Sequence, residues 1–538
     1  MQIRAAACAC LSSFLLLSTA PSVHAFDYDE HKYLSNVGFL LALKASQGRC
    51  LPEDDLLRLV SRDAIEKGYS FGDIVGLGDY IHDVEAILER NGESDPSKDS
   101  YQAFDWQHVP ELKRDRLRFL QAAHVNESHF QQGALMAHLN HHDSAILMAR
   151  SGRLFRALVL EAYGLHFLED FHAPGHVATT RSALPDYVAI AVHEKFNSAG
   201  LDFRIRDGEK HELADLIKVA AGLDFKALAH KGMPDALILE ARDFEALKSA
   251  LDGPPQRFLG DSLLRGNKLQ AAYLAILSAR SVLDVLDAAR GDAAARNSFV
   301  PVCWYFGFCA GNLTCEGQPI PKTVGPLKRA RTPFGEYEGS RHKLLSSVFK
   351  PGDVLMLSYY NEFSNSSGIE GRAGSSEIAV ESLLTSSVPL RFVNLGECRQ
   401  QQMKRPVQRF SWFAMSLLYG ASWTQGNNDS KGLHVRYLFA IPRIDLQASV
   451  SYGVRYYDLP GGGRVVTYPI DYGVEAGFGF FLLHLGINKE LKRVPLTGEY
   501  RSQRLVQTGL TFVLPRSVYR VPFHWIGKKL KGSDERED

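Results

Sequence analysis

The sequence predicts a chain of two unlike parts, an all-α domain followed by an antiparallel β domain. From residue 26 to about residue 296, apolar residues recur at spacings of three and four, for example from Leu154 to Leu168 and from Leu269 to Ala289. This spacing is typical of helices with one buried face. Beyond about residue 345 the period changes to two, which is typical of strands. A length of 538 residues, 45% of them hydrophobic, is enough for both parts to have cores.

The N-terminal segment predicts export from the cytoplasm. Arg4 is followed by an apolar run from Ala5 to Leu17 and then by Val23-His24-Ala25, a small-x-small cleavage pattern. We therefore interpret residues 1–25 as a signal peptide and expect Phe26 to be the mature N-terminus, with a free α-amino group. The predicted location is the periplasm, the outer membrane or the outside of the cell.

Removal of the signal peptide leaves an odd number of cysteines. They are Cys50, Cys303, Cys309, Cys315 and Cys398. In an exported protein we expect a disulfide within the group of three between residues 303 and 315, and at least one thiol is left over. This group lies in residues 297–345, which are rich in Cys, Gly, Pro and Thr and which we interpret as a connector between the two domains.

The β domain is predicted to span residues 346–526, and a charged tail is predicted at 527–538. From Ile444 to Tyr456 every second residue is apolar, and the other face is polar. Similar alternation predicts strands at Ile470 to Leu482, Val506 to Leu514 and Phe410 to Trp423. Long strands with aromatic residues and polar alternates fit an outer-membrane barrel, but a soluble antiparallel sandwich or barrel gives the same alternation. Both architectures stay open at this point.

One stretch concentrates metal-ligating residue types. Residues 166–176 read His-Phe-Leu-Glu-Asp-Phe-His-Ala-Pro-Gly-His. His166 and Asp170 are four residues apart and share a helix face, whereas Pro174 ends the helical pattern and lets His176 approach from another direction. Imidazoles and a carboxylate that can bridge are the ligands of a polynuclear zinc site.

This motif resembles the signature of the zinc-dependent phospholipase C family, which shares an all-α fold with the S1/P1 nucleases. The resemblance is carried by His166, Asp170, Pro174 and His176. It implies a site for up to three Zn²⁺ ions in the α domain, with Asp170 as the bridging ligand.

The resemblance implies further ligands elsewhere in the chain. The family uses the amine and carbonyl of the mature first residue together with a nearby histidine, which correspond to Phe26 and His31. A His-Phe pair is matched by His129 in Ser-His-Phe. The preceding aspartate is best matched by Asp79, since its flanking glycines admit close backbone approach. We also assign Asp79 the catalytic role of orienting or deprotonating the attacking water.

Asp73 and Asp83 are the alternatives to Asp79. The histidines His138, His141 and His142 lie at spacings of three and four and could bind a metal, but we favour a polar helix face. His172, inside the motif, is expected behind the ligands or on the surface.

The last expected pair of ligands departs from the family pattern. His193 is followed four residues later by Asn197, where the family has a carboxylate. A neutral amide oxygen is a weaker zinc ligand than a carboxylate. We therefore expect that the third metal at His193 and Asn197 binds less tightly, is another ion, or comes and goes.

The resemblance implies a phospholipase C that hydrolyses glycerophospholipids such as phosphatidylcholine to diacylglycerol and a phosphorylated head group. The alternatives are an S1/P1-type single-strand nuclease and an outer-membrane barrel protein whose helical domain binds metal without catalysis. Lys plus Arg equals Asp plus Glu at 61 each, so no overall positive charge favours a nucleic-acid partner. We expect a phospholipid substrate and membrane contact through the β domain.

Overall fold

The computed structural model describes most of the N-terminal part of the chain and the strands of the C-terminal part. The described residues are 28–46, 53–68, 70–81, 84, 87, 126–179, 186–205, 210–231, 233–251, 253–260, 264–291, 314–315, 318–319, 330–332, 335–338, 354–364, 375–383, 388–391, 415–426, 430–441, 446–458, 464–478, 481–493 and 500–515.

Helices form the N-terminal part, as the periodicity predicts. The described α-helices, α1 to α11 in chain order, are Tyr28–Ala45, Glu53–Leu57, Arg62–Lys67, Phe71–Gly76, Gln131–Arg150, Leu154–Asp170, Pro174–Ala178, Asp186–Ala199, Lys210–Ala220, Ala241–Ala250 and Lys268–Ala289. Two short 3₁₀ turns, Leu77–Asp79 and Asn126–His129, end in predicted ligands. The helical expectation for this part of the chain is confirmed.

Helix α11 lies in the core of the helical domain and contacts α1, α5 and α6. It is long and apolar enough to cross a membrane, but 89% of its most apolar window is buried inside the protein. Asn267 caps its first turn by accepting a hydrogen bond from the backbone of Gln270. The apolar composition of α11 is therefore explained by the core that it helps to form.

A small antiparallel sheet was not predicted in the helical part. Its strands are β1 (Leu201–Ile205) and β2 (Gln256–Phe258), and they are joined by β5 (Ala330–Thr332) and β6 (Gly335–Glu338) from the predicted connector. The strand order is β2-β1-β6-β5. The connector is thus hydrogen-bonded to the helical domain through the β1–β6 pair.

Long antiparallel strands form the C-terminal part. The strands β7 to β15 are Val354–Ser364, Ser375–Leu383, Val388–Arg391, Met415–Gly426, Ser430–Ile441, Leu446–Asp458, Arg464–Phe478, Phe481–Arg493 and Tyr500–Pro515. Their hydrogen-bonded order is β11-β12-β13-β14-β15-β7-β8-β10, and β10 pairs again with β11. The pairings therefore close into a ring of eight strands, which we call the strand ring; short β9 pairs with β10 outside this cycle.

The predicted strand positions are partly corrected. The strand expected at residues 444–456 is β12, and the one at 506–514 lies within β15. The single strand expected from Ile470 to Leu482 is wrong, since β13 ends at Phe478 and β14 begins at Phe481. The strand expected at 410–423 is β10, which is described from Met415 onward.

Several expectations lie outside the described residues. These are the signal peptide, the Phe26 terminus, Asp83, the charged tail and the cysteines other than Cys315, which lies in the short strand β3 (Thr314–Cys315) paired with β4 (Gln318–Pro319). They stay predictions, as do the domain boundaries.

Candidate metal centre

Asp170 lies at the end of α6, where its buried carboxylate faces histidines from three other segments, which are His31, His129 and His176. His166 precedes it by one helical turn, so both side chains leave the same face of α6. The Asp170 side chain is 1% exposed. One carboxylate oxygen, Oδ2, lies 2.7 Å from His129 Nδ1 and 3.2 Å from His166 Nε2. The other, Oδ1, lies 3.5 Å from His31 Nε2.

The first group of donor atoms comes from Asp79, His129, His166 and Asp170. His166 Nε2 lies 3.0 Å from His129 Nδ1 and 3.6 Å from Asp79 Oδ1. In a tetrahedral zinc site with bonds of about 2.0–2.1 Å, neighbouring ligand atoms lie about 3.3 Å apart. The separations of 2.7, 3.0, 3.2 and 3.6 Å between atoms of this group lie on both sides of that value. The side chains therefore fit a four-coordinate ion.

The second group consists of His31, His166 and Asp170, whose donor atoms lie within 4.8 Å of one another. Asp170 Oδ1 is buried and accepts no hydrogen bond from the part of the chain that the structure describes. A buried carboxylate oxygen in that state costs free energy unless a cation approaches it. Asp170 therefore offers one oxygen to each group, as a bridging ligand requires.

Glu169 orients His31, and the sequence did not single it out. Its Oε2 lies 2.7 Å from His31 Nδ1, and its Oε1 accepts hydrogen bonds from Ser35 at 2.6 Å and Ser278 at 3.0 Å. A carboxylate on the far nitrogen of an imidazole fixes the ring and directs the other nitrogen to a metal. The signal in the sequence was the acidic pair Glu169-Asp170 at the end of α6.

The backbone before Asp79 passes directly against the His166 ring. A Cβ atom added at Gly78 would lie 2.3 Å from two carbon atoms of that ring. Only glycine admits this approach. The flanking glycines that favour Asp79 in the sequence therefore correspond to a close contact between Gly78 and His166 in the structure.

His176 reaches the site from α7, which begins at Pro174. Its Nδ1 donates to the carbonyl oxygen of His129 at 2.5 Å, and its ring stacks on Phe130 at a centroid distance of 4.3 Å. This hydrogen bond assigns the proton to Nδ1 and leaves Nε2 as the nitrogen that can bind a metal. The proline break therefore brings His176 in from a second direction, as expected.

His193 and Asn197 lie next to His176, on α8. The His176 and His193 ring centroids are 4.7 Å apart. The backbone N–H of Gly175 donates to Asn197 Oδ1 at 2.6 Å, which fixes the orientation of the amide. Asn197 Nδ2 consequently faces His193 Nε2 at 3.1 Å. The third ligand pair is thus close to the others, but its amide donates toward the imidazole nitrogen that a metal would use.

Burial and neighbouring charges set the protonation of these groups in the metal-free chain. Burial raises the pKa of Asp170, but the imidazoles of His166 and His176 and the hydrogen bond from His129 outweigh it and hold the pKa well below its usual range. Burial lowers the pKa of His166, and it lowers the pKa of His176 to about 4. An ionised Asp170 and neutral imidazoles at His166 and His176 are the states that bind divalent metals. Burial lowers the pKa of His31, but Asp170 and Glu169 outweigh it and raise that pKa well above its usual value, so His31 gives up a proton when it binds a metal.

Two predicted neighbours of the site have other roles. Asp73 accepts a hydrogen bond of 2.8 Å from the Ser70 backbone N–H in the cap of α4, and it lies 2.8 Å from Lys32 Nζ. Its carboxylate therefore has a structural role. His172 is fully buried, and its Nδ1 donates to the Leu168 carbonyl at 2.8 Å. Of the two positions expected for His172, behind the ligands or on the surface, the surface is therefore excluded.

The expectation of a polar helix face at His138, His141 and His142 is also corrected. His138 and His142 are completely buried. His142 Nδ1 lies 2.6 Å from Glu161 Oε2, and its Nε2 lies 3.4 Å from Asp284 Oδ2. The partners come from α6 and α11, which the sequence spacing of α5 alone does not reveal.

Comparison of the chain with protein-family models, curated proteins and solved structures gave no significant match, so the candidate metal centre rests on the geometry of its own residues.

Proposed function

We propose that the protein is a zinc-dependent phosphodiesterase with the phospholipase C type of helical fold. The observation that carries the proposal is the buried Asp170 carboxylate, whose Oδ2 lies beside His129 and His166 and whose Oδ1 lies beside His31. A single structural ion would not need a carboxylate shared in this way. A shared carboxylate between imidazole groups is suited to ions held side by side, which is the arrangement that stabilises phosphoryl transfer.

The side chains of the candidate metal centre have different proposed roles. Asp170 holds both groups together, and His31, His129, His166 and Asp79 complete them. Bound zinc ions would polarise a phosphoryl oxygen and lower the pKa of water. At 11%, Asp79 has the most exposed side chain of the first group, so it is the carboxylate that incoming water meets. Asp79 orients this water and accepts its proton.

The proposed substrate is a glycerophospholipid, cleaved on the head-group side of glycerol to diacylglycerol and a phosphorylated head group. The resemblance of the motif at residues 166–176 supports this choice, and the equal numbers of acidic and basic residues give no support to a nucleic-acid substrate.

The proposal is tested on the purified full-length protein with substitutions of two aspartates. Asp170→Asn removes the shared charge, and we expect at least a hundredfold loss of phosphocholine release from phosphatidylcholine, together with loss of bound zinc. Asp73→Asn is the matched control, because Asp73 is equally buried and charged but lies in the α4 cap. It should retain zinc in the folded fraction.

Single-stranded DNA is assayed in parallel as the competing substrate. Zinc-dependent cleavage of DNA without phosphocholine release would replace the phospholipase proposal with a nuclease. Zinc retention with no turnover of either substrate would leave a metal-binding protein without catalysis and would contradict the enzyme proposal. Unchanged activity in Asp170→Asn would contradict the assignment of the site.

A further inference from the structure

On the ring strands where burial is described, most buried side chains are polar, and Leu482 is a buried apolar exception among them. Arg455 is 2% exposed and Glu475 is 0% exposed. Glu475 accepts a hydrogen bond from Gln447 and lies 3.1 Å from His484 Nδ1, while Ser358 and Thr511 share a hydrogen bond of 2.8 Å. Further buried polar side chains on these strands are His434, Ser449, Ser451, Thr467 and Gln507. The interior is thus lined by hydrogen-bonded polar groups.

The outward positions of the same strands are apolar. Leu483 and Leu485 are 63% and 62% exposed. Paired residues share the pattern, since Val474 lies opposite Leu485 and both are exposed. The other exposed large apolar residues are Tyr359, Leu433, Val450, Tyr452, Tyr456, Tyr468, Ile470, Tyr472, Ile487 and Val506.

This distribution is the reverse of that of a protein domain in water. A soluble barrel buries its apolar side chains and exposes its polar ones, because the hydrophobic effect drives burial of apolar surface. Here an arginine and a glutamate are buried while leucines and tyrosines face outward. We propose that the strand ring spans a lipid bilayer, with the outward apolar residues in contact with acyl chains.

The extent of the apolar surface selects a bilayer over a protein partner. Exposed large apolar residues occur on β7 and on β11 through β15, which are consecutive in the ring. They occupy six of its eight strands and so face most directions around it. A protein partner of standard size covers about 800 Å² on one side. The exposed apolar residues on these six consecutive strands form a surface that we call the apolar belt. Only a medium that surrounds the ring can cover it.

The lengths of the strands and the closure of the ring meet the two requirements of a spanning barrel. The eight ring strands have between 9 and 16 residues, and about 9–11 residues suffice for a tilted strand to cross the hydrocarbon core. Closure pairs the backbone groups of every strand on both sides, which a bilayer demands because it offers no water. The β10–β11 pairing, which extends over ten residue pairs, supplies that closure.

A ring that spans the membrane would also fix where the candidate metal centre lies. Helix α8, which carries His193 and Asn197, contacts β15, and β6, the last strand before the ring among the described residues, pairs with β1. An embedded ring would hold the helical domain next to the membrane surface. The proposed insertion of the strand ring into the membrane does not depend on the proposed phosphodiesterase activity.

The test begins with the full-length protein, its own N-terminal segment included, produced in a Gram-negative host. Membranes are washed with high salt and with alkaline carbonate and are then extracted with detergent. We expect the protein to resist both washes and to be released by detergent, with heat-modifiable mobility on gels. Asp170→Asn should behave identically, which separates failure of the anchor from failure of the enzyme proposal.

A matched pair of leucine substitutions tests the belt itself. Leu485→Arg places a charge among acyl chains and should reduce the membrane-assembled fraction on the order of tenfold or more. Leu147→Arg is the control, because Leu147 on α5 is 60% exposed but lies in the helical domain. It should leave assembly unchanged. Equal behaviour of the two variants would overturn the proposal.

A second measurement covers the case in which Leu485→Arg does not fold at all. Wild-type protein in phosphatidylcholine vesicles, with a chelator present to prevent cleavage of the lipid, is exposed to an apolar photoactivated carbene dissolved in the bilayer, and labelled peptides are identified by mass spectrometry. Label is expected in peptides from β12 to β14 and not from α5. A monomer or oligomer that stays in solution without detergent, or a wild-type ring that takes no label, would overturn the inference.

Discussion

In the helical domain and in the strand ring, buried polar side chains follow opposite rules. Among the described residues of the helical domain, buried charges are confined to a few groups such as the candidate metal centre and the Glu161–His142–Asp284 network. On β7 and on β11 to β15, where burial is described, the ring buries polar side chains. A buried carboxylate therefore depends on a few charged or imidazole partners in the first region and on a shared polar surrounding in the second.

The largest expected effect comes from removing one buried carboxylate from each region. Glu161 and Glu475 are both 0% exposed and both contact a histidine. Glu161→Ala removes the closer of the two carboxylates that face the buried His142, so we expect a loss of about 3–5 kcal/mol in local stability. Glu475→Ala leaves the side chains of Gln447 and His484 among other polar groups and should cost about 1–3 kcal/mol.

Hydrogen exchange of α6 and β13 amides, measured by mass spectrometry in each full-length variant, reports the two effects separately. Exposed Glu245→Ala serves as the control, with a change near zero. Equal losses in the two regions would break the comparison, because the interior of the ring would then behave as an ordinary core.

The pH dependence of the helical domain is the next largest effect. Burial lowers the pKa of His142, but Glu161 and Asp284 outweigh it and raise that pKa to about 10. Its value in the unfolded chain is about 6.5. Since the folded pKa is raised, the stabilisation is fully present below about pH 6.5 and is lost as the pH rises through about 10.

We therefore expect His142 to contribute a fall of about 1 kcal/mol per pH unit to the free energy of unfolding of the helical domain between about pH 7 and pH 9. Urea unfolding followed by helical circular dichroism measures this slope. His142→Gln cannot titrate in this range, and its slope should be smaller than that of the wild type by about this amount. The same slope in both proteins would show that another group is responsible.

The sequence was sufficient for the local parts of this architecture. Helix periodicity predicted α6 and α11, and the spacing of His166, Asp170 and Pro174 predicted that their neighbourhood gathers metal-binding groups. Residues such as Glu169 and Asp284 were missed because their partners lie far away in the chain, and no local spacing reports such contacts.

The strands show a different limit. Alternation identifies two faces but is the same whichever face is buried, so it left the sandwich and the barrel open. The end of β13 was missed for a related reason. Residues opposite each other in an antiparallel pair share a face, and the alternation therefore changes parity between β13 and β14, where the run Phe480-Phe481-Leu482-Leu483 hides the change.

The smallest expected effect concerns the edge of the metal centre. Gly175 N–H fixes the Asn197 amide so that its Nδ2 faces His193 Nε2. Asn197→Asp keeps an oxygen for the Gly175 N–H and replaces the facing donor with a carboxylate oxygen, which is a zinc ligand. We expect affinity for the last zinc ion to rise on the order of tenfold, within the range that a change around a metal ligand produces.

Zinc titration against a chromophoric chelator measures this affinity, and Asn197→Ala is the control that removes the donor without adding a ligand. A rise in Asn197→Asp alone would show that the carboxylate binds the metal. A similar rise in both variants would show that the amide acts only by occupying His193. No rise in either would place His193 outside the candidate metal centre.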